Sequence, residues 1–151
     1  MTDKKINAVC NLYIGSLRAL YLVLQGCHWL TKGYDNHLLF ERLYNSTLSS
    51  ADKMAEEFIG VFGAEACGMQ AQAEMISKLL DKYQGDNYHA LALRFEKDML
   101  VFSQQVYDFL EEKDALTLGL DDSLMKVASS CEEACYLLQQ ALAEEELDAL
   151  D

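Results

Sequence analysis

Proline is absent from all 151 residues. Inside a helix, proline loses a hydrogen bond and clashes with the preceding turn, so a chain without it can run long helices unbroken. Nor is there any Ser/Gly-rich or low-complexity run to act as a linker, and residues 1–151 are expected to form one domain. No stretch alternates apolar and polar residues with the period of a strand, and no internal repeat is visible. Uncharged apolar runs fall short of the roughly 20 residues a membrane span needs. The N-terminal MTDKKINAVC has no apolar run of the kind that makes a signal peptide.

Basic residues are scarce as well. Twelve Lys and Arg face 25 Asp and Glu, for a formal net charge of −13. Such a surface repels a phosphate backbone and attracts cations, so binding to DNA is not expected. Charge alone also has a plainer reading, that of a surface kept in solution. The five cysteines (Cys10, Cys27, Cys67, Cys131, Cys135) are odd in number and fit no secreted disulfide framework, which points to free thiols in a reducing cytoplasm. Cys131 and Cys135 share a helix face and could hold a soft metal, but free cysteine serves equally as a small core residue.

What the chain has in quantity is helical periodicity. Ile6, Val9, Leu12, Tyr13, Leu17, Leu20, Tyr21 and Leu24 form one stripe of a first helix from about Lys5 to Thr31, ended by Gly33. Asp35 or Asn36 can cap a second helix carrying Leu39, Leu43, Leu48, Met54, Phe58 and Phe62 and ending near Gly63. A shorter piece follows from about Glu65 to Tyr83. Asp86 and Asn87 then open a third long helix through Leu110, and Asp121, Asp122 and Ser123 a fourth through about Leu147. The expected fold is all-α: a four-helix bundle with a short extra helix between helices two and three.

Histidine is rare enough to take residue by residue: His28 ends the first helix, His37 starts the second and His89 opens the third. Each alone reads as readily as a core or capping residue as a ligand. Asp52 and Glu56, four apart, project from one face of the second helix. A solvated acidic face accounts for such a pair, but its mutual repulsion also vanishes when a cation sits between the carboxylates. Ferrous iron takes imidazole nitrogen and carboxylate oxygen together. Yet His37 and Asp52 are fifteen residues apart on one helix, roughly 22 Å at 1.5 Å per residue. A site using His28, His37, Asp52 and Glu56 therefore needs two chains, antiparallel about a two-fold axis.

The stretch HWLTKGYDNHLLFERLYNSTLSSADKMAEEFIG, from His28 to Gly60, resembles the signature of the Dps-like mini-ferritins, the DNA-binding proteins from starved cells and their relatives. The family pattern is His-Trp, a glycine turn, a second His, then Leu-Tyr, and fifteen residues after that His an Asp-x-x-x-Glu. His28, Trp29, Gly33, His37, Leu43, Tyr44, Asp52 and Glu56 fall on it. The resemblance extends in layout over nearly the whole chain. It implies a ferritin-like bundle, twelve copies in a hollow cage built on two-fold dimers, and His28, His37, Asp52 and Glu56 as inter-subunit ferroxidase ligands. Ferrous iron would be oxidised there by peroxide or dioxygen and stored inside as ferric mineral, protecting the cell from oxidative damage.

Three departures from the pattern stand out. The turn between the histidines is three residues shorter than is usual in the family. Tyr136 stands where the last helix commonly has tryptophan. The lysine-rich tail that some members use on DNA is reduced to Lys4 and Lys5. The absence of any Glu-x-x-His argues against the intrasubunit di-iron site of ferritins and bacterioferritins. Trp29 beside a ligand is expected to be a core residue, or else to quench stray oxidants. Glu111, Glu112, Asp114, Asp121 and Asp122 are candidates for ion-entry pores, or simply a solvated loop. The rival reading is a non-enzymatic cage or assembly protein whose shortened turn has disabled the metal site.

Overall fold

The computed structural model describes residues 3–150. Five α-helices follow one another: α1 (Lys4–Leu30), α2 (Tyr34–Phe62), α3 (Met69–Lys82), α4 (Tyr88–Glu112) and α5 (Leu118–Asp148), with a single 3-10 turn at Ala64–Ala66 before α3. Among the described residues there is no strand. Four long helices make an antiparallel bundle, and α3 lies outside it against α1. The four-helix bundle expected from the periodicity is the one observed, in the ferritin-like layout that the resemblance implies.

Helix starts are set by short polar side chains. Asp3 accepts from the backbone N–H of Lys5 and Ile6, Asn87 from that of Ala90, and Thr117 from that of Leu120. Two expected starts move. The helix α5 begins three residues before Asp121, which leaves Asp121 in its first turn, where a carboxylate favours the helix dipole. The helix α2 begins directly after Gly33 with no side-chain cap, so neither Asp35 nor Asn36 fills that role. Gly33 sits at φ 91°, a conformation that side chains resist, and a Cβ there would stand 3.0 Å from Asp35 Oδ1.

The core runs the length of the bundle through Leu17, Leu20 and Leu24 of α1, Phe40, Met54 and Phe58 of α2, Phe95 and Met99 of α4, and Leu120 and Leu138 of α5. Leu48, read from the sequence as part of the α2 core stripe, is exposed instead. Tyr13 is fully buried with its ring edge-on to Phe58 and Phe102, and its hydroxyl meets Ser103 Oγ at 2.7 Å. By length and composition α1 could cross a membrane, but most of its apolar stretch is buried against the other helices, as the core helix of a bundle requires.

The outer helix α3 is tied to α1 by a polar knot. Asn11 Oδ1 accepts from Gly68 N–H, Arg18 donates to Gln72 Oε1 at 2.8 Å, and Gln72 itself is buried. Gly15 of α1 lets Met75 come close, since a Cβ there would stand 3.3 Å from Met75 Cβ. Cys10, Cys27, Cys131 and Cys135 are buried free thiols, and Cys67 is half-buried and free. Burial raises the Cys10 and Cys27 thiols to about 12, so both stay protonated and behave as small apolar fillers.

Candidate metal centre

The three-residue connection Thr31–Gly33 folds α2 back along α1 and brings His28 and His37 face to face. Their ring centroids are 3.7 Å apart with 22° between planes. Each ring is held by the other residue's backbone. His28 Nδ1 lies 2.7 Å from the His37 carbonyl oxygen, and His37 Nδ1 lies 3.0 Å from that of His28. A carbonyl can only accept, so both Nδ1 atoms carry the proton and both Nε2 atoms keep a free lone pair in the neutral ring. Metal-ligating histidines are commonly fixed in this way through the other ring nitrogen. Tyr44, two turns beyond His37, sets its ring edge-on to His28 at 5.2 Å and to Tyr21 at 5.6 Å.

Asp52 and Glu56 stand well down α2, both exposed. They share an outward face with Leu38, Leu48 and Ile59, all within about 40° of Asp52 at 100° per residue. The helix α1 exposes Leu22 and Trp29. Trp29 is 68% exposed, so the expectation of a core role fails for the single chain. The structure thus brings the two histidines together and leaves the two carboxylates apart from them. Among the described residues no three His, Cys, Asp or Glu side chains of one chain converge on a point.

Among the described residues the bundle interior offers no alternative centre. Glu96 is the one buried carboxyl among the described residues. Burial raises it to about 7, and the neighbouring Cys131 thiol partly offsets this by donating to it. The Cys131 thiol is itself pushed far above the usual range by burial and by the Glu96 charge, which suits a hydrogen-bond donor and not a thiolate ligand. Thr47, Ser50 and Ser130 line the small space around this pair.

His89 is likewise no metal ligand in this arrangement. It is buried at the start of α4, with Nε2 3.0 Å from Asn36 Oδ1 and Nδ1 2.8 Å from Glu145 Oε1. No local pattern pointed to either partner, because both depend on where α2 and α5 end up around α4. Tyr44 was visible as a motif position but not as a ring packed edge-on to His28.

No family model matches the chain. General stress protein 20U of Bacillus subtilis (strain 168) is 25% identical over 148 residues, covering 94% of this chain and 99% of that protein. DNA protection during starvation protein 2 of Bacillus anthracis is 23% identical over 146 residues, covering 93% and 98%. Among solved structures, Dps from Thermosynechococcus elongatus superposes with a TM-score of 0.76 at 17% identity, over 92% of this chain and 90% of that one. The chain has the fold of the Dps structures. DpsC from Streptomyces coelicolor gives a TM-score of 0.74 at 18% identity, over 94% and 88%. The Dps-like likeness therefore spans the short helix α3 and both hairpins, well beyond the motif around the histidines.

Proposed function

We propose that this chain is the subunit of a cage that oxidises ferrous iron at inter-subunit sites and stores the ferric product. The observation that carries the reading is the reciprocal Nδ1-to-carbonyl pairing of His28 and His37, which leaves two Nε2 lone pairs side by side. Asp52 and Glu56 of a second, antiparallel chain supply the oxygen ligands that a half-site of two imidazoles lacks.

Iron is the substrate in this scheme. Ferrous ions bind between neutral imidazole and anionic carboxylate. Each gives up one electron, and a peroxide accepts two as its O–O bond breaks; dioxygen is the other oxidant to compare. The two carboxylates stabilise the extra positive charge of the ferric product more than they stabilise the ferrous substrate. The exposed apolar residues Leu38, Leu48 and Ile59 on the carboxylate-bearing face of α2, with Leu22 and Trp29 exposed on α1, give the second chain a surface to cover. We infer a homo-oligomer built on this two-fold contact, with twelve subunits as in the family pattern, working in the cytoplasm.

The rival reading, an assembly protein with a disabled site, rested on the shortened turn between the histidines. The stacked pair at 3.7 Å weighs against it, because the short turn still delivers both rings to one place. The test is the absorbance of ferric product after mixing the protein with ferrous salt and peroxide. Wild type should oxidise iron well above the protein-free rate, and His28→Ala with His37→Ala should fall to that rate while remaining assembled. Equal rates for wild type and the double variant would leave the assembly reading standing.

A further inference from the structure

We propose that His89 is a positioning residue for the metal site, acting through Asn36 on the turn that presents His28 and His37, with Glu145 anchoring it to α5. The inference rests on the reading of that site as a metal centre.

The turn needs such support. The helix α2 starts without a side-chain cap, and its first residues follow Gly33 in a conformation that only glycine adopts easily. The Asn36 side chain crosses this turn: its Nδ2 donates to the Lys32 carbonyl at 2.8 Å. That bond fixes which way the amide points, so Oδ1 faces His89 Nε2 at 3.0 Å. The other side of the ring meets Glu145 Oε1 at 2.8 Å. His89 is only 3% exposed and lies against Phe40, with ring centroids 5.0 Å apart, so the ring has little room to turn.

The result is a continuous line from the end of α5, through His89 and Asn36, to the carbonyl of the residue preceding Gly33. One residue beyond Asn36 stands His37. Cys27, one residue before His28, packs its sulfur 3.9 Å from the Tyr88 carbonyl, so the start of α4 touches the residue beside each histidine. A histidine that merely filled the core would affect stability alone. One that sets the turn must also change how the other two imidazoles are held.

Three histidines in the chain make this directly readable. The imidazole nitrogens are labelled with 15N in the assembled, metal-free protein, and the tautomers of His28 and His37 are read by solid-state NMR. In parallel, Co2+ binding is titrated through its visible absorbance. The variants are His89→Ala, Asn36→Ala, the two combined, Glu145→Ala and Glu145→Gln, with Phe40→Leu as a packing control.

His89→Ala and Asn36→Ala should each weaken Co2+ binding about tenfold, the usual scale for losing an outer support of a metal ligand. The double variant should be no weaker than either single, since both break one line. Glu145→Gln supplies a side-chain amide that can still hydrogen-bond to Nδ1 and should bind like wild type, while Glu145→Ala should not. Phe40→Leu should stay within about twofold. The same losing variants should scramble the Nδ1–H tautomers of His28 and His37. Additive losses, or tautomers unchanged in Asn36→Ala, would overturn the proposal. If His89→Ala fails to fold, Asn36→Ala and Glu145→Ala decide the matter. If wild type binds no Co2+, the metal reading fails, and the tautomer measurement still judges the relay.

Discussion

The imidazole of His37 lies flat against that of His28, and each donates through Nδ1 to the other's backbone carbonyl. The pair is locked as a unit within one chain, while Asp52 and Glu56 stay on a distant part of α2. A chain that has lost both histidines and a chain that has lost both acids should therefore complement each other. Each variant alone should be inactive, because every two-fold site lacks half its ligands. After co-refolding in equal amounts, half the dimers should be mixed, and each of those should hold one complete site. Iron oxidation should return to roughly a quarter of wild type. No recovery from a mixture shown to have reassembled would count against the two-fold site.

Glu96 gives the fold a pH signature. Its carboxyl titrates at about 7 in the folded chain against an ordinary 4.5, because burial penalises the charge. The folded state thus holds a proton that the unfolded state has released. The stabilising contribution is complete below about pH 4.5, declines as pH rises, and is gone above about 7. Glu96→Gln keeps the shape without the charge. In urea melts it should match wild type near pH 4.5 and exceed it at pH 8 by roughly 3 kcal/mol. A variant no more stable than wild type at pH 8 would show that Glu96 ionises without cost.

The buried hydroxyl pair should behave asymmetrically. Ser103 Oγ donates to the Met99 carbonyl at 2.7 Å, so it accepts from Tyr13. Tyr13→Phe removes one donor and leaves Ser103 still bonded to Met99, for a cost of about 1 kcal/mol. Ser103→Ala strands the Tyr13 hydroxyl in the core, for a cost of up to about 3 kcal/mol. The order of the two in thermal or urea unfolding is the check, and the reverse order would contradict the assigned proton.

Duplex DNA should not be retarded in a gel at neutral pH without divalent ions. Non-specific affinity comes from Lys and Arg neutralising phosphates, and a chain of net charge −13 has few to spare. Of its basic residues, Arg42 is paired with Glu133, Lys126 with Asp122 and Lys53 with Glu57. Retardation at physiological salt would reveal a local basic patch strong enough to outweigh the net charge.

The helices were legible because their apolar spacing and their glycine and asparagine boundaries are local signals. Gly33, Gly63 and Asn87 mark ends that the structure keeps, while Thr117 hid the start of α5 behind the more conspicuous Asp121 and Asp122. The exposure of Leu48 and Trp29 was not legible. Both are apolar residues at helical spacing, and only the packing of α1 on α2 decides which side of the stripe faces inward. Of the candidate site, the spacing of His28, His37, Asp52 and Glu56 was readable, as was the distance that forbids their meeting in one chain. The carbonyl clasp on each imidazole depends on how the short turn folds α2 back along α1, and the line from Glu145 through His89 to Asn36 depends on contacts over more than fifty residues of sequence. No local pattern announces them.

The separation along α2 between the histidine clasp and the acidic pair bears on dosage. On the shared-site reading, a newly made subunit carries two half-sets of ligands and no complete one. Under the shared-site reading its activity rises with the square of its concentration until pairing saturates, and then linearly. Scattered single subunits would leave the cell's ferrous iron alone, and redox turnover would begin only where a partner, and with it an enclosing shell, is already at hand.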